Sequence, residues 1–277
     1  MTTTFHALVI KLVALTAGTL NSPVGELAPA AFYAAVHAVD PALASQLHDV
    51  QERKAFSLSP LYGYWRSPAD KRIHVRPGQE GWLRLSLLDD QLFAVFMQHL
   101  LSSQHPTIRL GECHFAIHEV LGAPGSHPWV GYTTLEQLRA LQPDNRNWVL
   151  SFESPTAIRW QEADNGTRRV EIFPHPRFAI ASLRSRWDKL TGEAWGLEFE
   201  EWVGRNVVVN RVWHWETQTF AYQKQNYIGG QGKLEYRLLD DSNREYTAHL
   251  HHLLHLAFYT GIGYKTTHGL GQVRLVN

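Results

Sequence analysis

The apolar positions of this chain follow two rhythms, and the order of the rhythms occurs twice. "FHALVIKLVAL", residues 5–15, is an apolar run of strand length. In "PAAFYAAVHAVDPALASQLHD", residues 29–49, Phe32, Val36, Val39, Leu43 and Leu47 return at helical spacing. The pair Asp40-Pro41 lies inside that stretch and reads as an N-cap and first helical residue, so the pattern predicts a break and a second short helix. Two strand-like stretches follow, "KAFSLSPLYGYW" and "GWLRLSLL". "DDQLFAVFMQHLLSSQ" predicts a helix with Leu92, Phe96 and Leu100 on one side, and "TIRLGECHFAIHEVL" a closing strand.

From residue 147 the order repeats. "NWVLSFESPTAIRW" predicts a strand. "HPRFAIASLRSRWDKLTG" predicts a helix with Ile180, Leu183, Trp187 and Leu190 on one face and Gly192 past its end. "RNVVVNRVWHWETQTFAY" and "QGKLEYRLL" are strands. "DSNREYTAHLHHLLHLAFYTG" is a helix with Tyr246, Leu250, Leu253, Leu254 and Ala257 inward, Asp241 or Ser242 as its cap and Gly261 at its end. "GQVRLVN" is a last strand. Each half therefore reads β-α-β-β-α-β, the ferredoxin-like order. The predicted class is α+β, with two tandem ferredoxin-like (RRM-like) domains, 1–143 and 144–277, meeting near the polar stretch "QPDNRN". RNA-recognition modules use this sheet architecture.

Composition agrees with a folded two-domain chain. The 277 residues are 44% hydrophobic and 19% charged, and ten Trp, ten Tyr and twelve Phe exclude a disordered class. No run of 18 uncharged apolar residues occurs, so no membrane-spanning helix is expected. Lys11 interrupts the apolar start, which reads as a strand and not as a signal peptide. The lone Cys113 excludes an internal disulfide framework and fits a reducing cytoplasm. Net charge is zero, which argues against a broadly basic nucleic-acid binder, but sixteen histidines can gain protons beside phosphates.

The densest motif is "FYTGIGYKTTHGLGQVRLVN", residues 258–277, with paired glycines Gly261/Gly263 and Gly269/Gly271. It is not a Walker loop, because Lys265 follows no glycine and Gly271 leads into a strand. Nor is it a dinucleotide fingerprint, because Thr266 stands at the third glycine and the order is helix, loop, strand. Two readings remain: a tight turn in which glycines relieve packing, or a backbone approach to an anion, with Lys265, Thr266, Thr267 and His268 adding polar contacts. "HLHHLLH", residues 249–255, carries no HExxH motif and no Cys or carboxylate at ligand spacing, so these histidines are expected to be solvated helix residues.

The paired glycines, their apolar inserts Ile262 and Leu270, the spacing of five residues and the position before a terminal strand resemble the signature of the CRISPR repeat-RNA-processing endoribonucleases, the sixth family of CRISPR-associated proteins. "SFESPTAIRW" and "YIGGQGKLEYRL" extend the resemblance over the whole chain. It implies an enzyme that cuts precursor RNA within each repeat, without metal or other cofactor, by attack of a 2′-OH on the adjacent phosphorus. The products would be a 2′,3′-cyclic phosphate and a 5′-OH.

Tyr33, His48 and Lys54 match the family's spacing of tyrosine, histidine and lysine. The resemblance implies that His48 is the general acid or serves as both acid and base, that Tyr33 orients or helps deprotonate the 2′-OH, and that Lys54 stabilises the phosphorane. His37, four residues after Tyr33 on one helix face, is the rival histidine. Expected RNA contacts are the loop residues 261, 263, 265–269 and 271, together with Arg177, Arg184, Lys224 and Lys233, with Arg186 and Lys189 nearby. The implied partner is repeat RNA, and other CRISPR-complex subunits and a second copy are further candidates. The alternatives are a relative that holds repeat RNA without cutting it and a structural subunit of a CRISPR complex.

Overall fold

The computed structural model describes residues 3–21, 25–49, 54–70, 72–161, 166–222 and 225–276, and at 48–49, 220–222 and 225–226 it describes the backbone alone. The chain divides into two compact units, one mainly of the chain up to Leu135 and the other mainly of the chain from Glu136 onward.

The first unit runs β1 (Thr4–Ala14), β2 (Gly18–Asn21), α1 (Leu27–Val39), α2 (Pro41–Asp49), β3 (Phe56–Leu58), β4 (Arg72–Val75), β5 (Glu80–Leu87), α3 (Asp90–Leu101), β6 (Thr107–Leu110), β7 (Cys113–Leu121) and β8 (Gly131–Thr134). Its sheet order is β3-β5-β1-β7-β6, all antiparallel, with β8 also pairing with β1. β7-β1-β5-β3 is the ferredoxin-like arrangement. The predicted break between the first two helices is present. α1 ends at Val39, and the Asp40 carboxylate accepts from the Leu43 amide at 2.9 Å, capping α2. Phe32, Val36, Leu92, Phe96 and Leu100 are buried against β1 and β5, as their spacing predicts.

Two expectations for this unit differ. "TIRLGECHFAIHEVL" is not one strand but the hairpin β6-β7, reversed at Gly111, whose φ is +59°. "KAFSLSPLYGYW" keeps only three residues in β3. Beyond Leu58 the chain leaves the edge of the sheet, and Tyr62 returns to Trp82 as an isolated bridge.

The second unit contains α4 (Leu135–Ala140), β9 (Asn147–Thr156), β10 (Ile158–Gln161), β11 (Arg168–Glu171), α5 (Pro176–Thr191), α6 (Leu197–Asn206), β12 (Val207–Tyr222), β13 (Gln225–Leu238), α7 (Arg244–Thr260) and β14 (Val273–Leu275). Its sheet order β12-β13-β9-β14 is again ferredoxin-like. α5 starts on Pro176 and stops at Gly192, which adopts φ +74° as a left-handed cap. The cap of α7 is neither Asp241 nor Ser242 but Asn243, whose side chain accepts from the Tyr246 amide at 3.0 Å. Helix α6, absent from the sequence reading, buries Phe199, Trp202 and Val203 beside α5. "NWVLSFESPTAIRW" is divided at Ala157, after which β10 turns into a separate hairpin with β11. Among the described residues no helix is long and apolar enough to cross a membrane.

Candidate active site and glycine loop

α1 carries Tyr33, and Lys54 lies just before β3. The structure brings the two together. The Lys54 ammonium donates to the Tyr33 hydroxyl, and Nζ stands 4.7 Å from the ring centroid. The ring is held edge-on against Phe56, centroids 5.8 Å apart, which fixes the direction of its hydroxyl. Burial pushes the Tyr33 hydroxyl up to about 12 and pushes the Lys54 ammonium down. Tyr33 is therefore a neutral phenol at neutral pH. With Lys54 donating to its oxygen, the phenol keeps its own proton. His37 is exposed in the last turn of α1, one helical turn beyond Tyr33. His48 lies in the last turn of α2, and its side chain is outside the described residues.

Apart from Thr267–Gly269, the glycine loop belongs to the second unit, and it is packed. Gly261, Ile262, Gly263, Thr266, Gly269, Leu270 and Gly271 are all buried. The Ile262 amide donates to Gly271 O at 2.9 Å, Tyr264 to Ala157 O at 3.0 Å and Gly271 to Pro155 O at 3.1 Å. A Cβ on Gly263 would stand 2.3 Å from Ala157 O, and one on Gly271 would stand 2.1 Å from Ile262 O. Both residues also have positive φ, +90° and +69°. Close passage of the chain beside β9 and β10 thus explains these glycines without a ligand. The Thr266 side chain is turned inward, where its hydroxyl meets the buried Arg186 guanidinium at 3.1 Å, and the same guanidinium donates to Gly263 O at 2.7 Å. Arg186 is a positioning residue for this loop. Lys265, Thr267 and His268 remain partly exposed, and Lys265 holds φ +58° with Nζ 5.0 Å from the Tyr227 ring centroid.

These distances predict that Gly263→Val destabilises the fold. Left-handed backbone and overpacking each cost about 1–3 kcal/mol, so a loss of roughly 2–6 kcal/mol is expected in urea unfolding. A mutant as stable as the parent would show that the loop yields.

The basic residues separate into different roles. Arg184 is committed within the helix layer, where it meets Glu200 at 2.7 Å, Asp188 at 2.7 Å and Trp195 O at 2.7 Å. Its charge is thus shared with two carboxylates of the same unit. Arg177 and Lys189 are exposed and Lys233 is half-buried. Lys224 lies outside the described residues.

The histidines of α7 are the larger correction. His249 and His251 are buried at 2% and 6% exposure, and His252 and His255 are half-buried. His249 stacks on Trp195 with centroids 3.6 Å apart, and His251 Nδ1 accepts from Trp148 Nε1 at 3.0 Å. The alternation of His and Leu in "HLHHLLH" hid this, since the partner tryptophans come from distant parts of the chain. Among the described residues no group of three His, Cys, Asp or Glu is placed to hold a metal.

The first ferredoxin-like unit thus carries a tyrosine–lysine pair, and in the second a glycine-dense loop follows α7. The CRISPR Cas6 N-terminal domain model matches residues 4–140, and the CRISPR-associated endoribonuclease Cas6 model matches residues 150–273. The chain belongs to the Cas6 family, RNA endonucleases of CRISPR RNA processing. No curated protein matches it. Among solved structures it is similar to Thermus thermophilus Cas6 (TTHB231) in a product complex, at 27% identity over 98% of this chain and 99% of that one, with a TM-score of 0.82. Cas6 (TTHA0078) in a product complex is 27% identical over 99% and 100%, with a TM-score of 0.73. The same protein in a substrate mimic complex is 26% identical over 99% of each chain, with a TM-score of 0.70.

Proposed function

We propose that this chain cleaves CRISPR repeat RNA without a metal ion, by attack of the 2′-OH on the adjacent phosphorus. The observation that carries the reading is the hydrogen bond between Lys54 and Tyr33, which joins two of the three residues at family spacing. Tyr33, as a donor, orients the 2′-OH or a phosphate oxygen. Lys54 places positive charge beside the crowded phosphorane. His48, on the helix after the break, transfers the proton to the leaving 5′ oxygen, a role suited to a group titrating near neutral pH. Cas6 relatives solved in product and substrate mimic complexes, with the endoribonuclease family model, support repeat RNA as the partner.

A second reading makes His37 the proton-transfer group. Its favouring observation is the shared face of α1 with Tyr33, one helical turn away.

Cleavage of repeat RNA in EDTA is expected to proceed fully and to leave a cyclic phosphate. A 2′-deoxy nucleotide just before the cut should abolish cleavage and leave binding nearly intact. A Mg²⁺ requirement, a 3′-OH product or cleavage of the deoxy strand would refute the mechanism.

A further inference from the structure

Outside its main sheet, the first unit carries a small ribbon. β2 and β4 pair antiparallel, with Thr19 opposite His74, Leu20 opposite Ile73 and Asn21 opposite Arg72. A third segment runs along β4. Arg66 bridges Ile73 in the antiparallel sense, and the Ser67 amide donates to Arg72 O at 2.9 Å. That register sets Trp65 opposite His74, and residues directly opposite in an antiparallel pair share a face. Leu20, Ile73 and Val75 form the inner face and are buried. Strand alternation places Trp65, Arg72 and His74 on the outer face. All three are exposed, as is Arg76 just beyond β4, and the indole of Trp65 is 71% exposed. Among the described residues no ring or cation packs on that indole. The backbone under it is nevertheless held. The ring of the preceding Tyr64 stands edge-on to Phe115, centroids 6.0 Å apart, its hydroxyl donates to Gln79 O at 2.8 Å, and the following Arg66 is tied to β4.

We propose that this outer face binds an unpaired nucleotide of RNA, with the base stacked on Trp65 and the adjoining phosphates beside Arg72 and Arg76. The proposal rests on the RNA-processing reading above and adds a contact residue outside the catalytic group. The occupant follows from chemistry. Every base offers a π-face to an open indole, and guanidinium groups match the charge of the strand. Two carboxylates stand nearby, and both have local partners. Asp70 meets His74 Nε2 at 2.7 Å and accepts from the Arg72 amide at 3.0 Å. Glu112, whose carboxyl the neighbouring Arg72 helps to hold low, accepts from the Thr19 amide at 2.9 Å. Arg72 and Arg76 form no ion pair at contact distance among the described residues. A protein partner fits this face less well. A stable protein interface has an apolar centre larger than one indole, and the side chains around Trp65 on this face are polar.

The test uses the full chain and a short fluorescein-labelled oligoadenylate, read by polarisation. A strand of abasic ribose phosphates of equal length serves as the second probe. Trp65→Ala is expected to weaken oligoadenylate binding about tenfold or more, the worth of one stacked base. Trp65→Phe should keep most of the affinity, and the abasic strand should bind wild type and Trp65→Ala alike. The double substitution Arg72→Gln, Arg76→Gln should weaken both probes, because it removes charge and not stacking. Trp65 is exposed, so equal melting temperatures are expected and establish that the fold is unchanged. Oligoadenylate binding unaltered in Trp65→Ala, or an equal loss with the abasic strand, overturns the proposal. Self-association in sedimentation that Trp65→Ala abolishes, with oligoadenylate binding unaltered, overturns it in favour of a contact between copies of the chain. Where the wild type still cuts repeat RNA, these results remove the Trp65 contact alone. A wild type that neither binds nor cuts RNA removes the proposed function as well.

Discussion

His48→Ala is expected to lower the single-turnover cleavage rate by roughly 10²–10⁴-fold, the usual worth of one acid–base group. Repeat binding should change little, because a neutral imidazole adds little attraction for phosphate. His37→Ala should lose less than about tenfold, since loss of a solvated helix residue removes no proton transfer. The rate is measured at saturating protein so that binding and chemistry stay separate. A titration near neutral pH should disappear from the rate profile of the His48 mutant. A large loss with His37→Ala and a small one with His48→Ala would move proton transfer to α1, beside Tyr33. Equal large losses would assign acid and base to separate histidines.

Acid should destabilise the second unit well above the range in which carboxylates titrate. Burial, then the nearby His252 and Arg184, push His249 down to about 3. Burial, then His255 and His252, push His251 down to about 4, with Asp144 opposing. The rings facing this pair are Trp187, Trp195 and Phe199 around the first and Trp148 and His255 at the second, and none offers a negative charge. Protonation of His251 would also turn Nδ1 from acceptor to donor and break its bond from Trp148.

The sign follows from proton counts. Both folded values lie below the ordinary 6.5, so below that pH the unfolded chain binds more protons. Stability is fully present above about pH 6.5 and is lost as pH falls toward 4. Each histidine should contribute a loss of about 2–3 kcal/mol by pH 4.5. Urea unfolding of the second unit across this range measures it. The double substitution His249→Phe, His251→Gln should flatten the curve between pH 6.5 and 4.5, and a slope unchanged in that variant would place the acid sensitivity elsewhere.

The legibility of this chain differs from element to element for definite reasons. Both ferredoxin-like halves were readable because their helices and strands are amphipathic on their own, and Phe32/Val36 or Leu250/Leu254 announce a buried face from spacing alone. The Asp40-Pro41 break was readable because it is local chemistry. The hairpin hidden in residues 107–121 was not, because the reversal at Gly111 interrupts an otherwise continuous β pattern. Helix α6 was missed because its short apolar face acquires meaning only beside α5.

For the site, the sequence by itself determined which residue types stand at the family's spacing, Tyr33, His48 and Lys54, because that is covalent order. Tertiary structure alone decided that Lys54 reaches the Tyr33 hydroxyl. It also decided that Arg184 is spent on carboxylates and that Arg186 is buried under the glycine loop. The same holds for the glycines and histidines. A pattern of Gly-x-Gly or of His and Leu records freedom of the backbone and periodicity of the helix. Whether the space beside it is filled by Ala157 O, by Trp195 or by a ligand depends on residues distant in sequence, which only folding brings within contact.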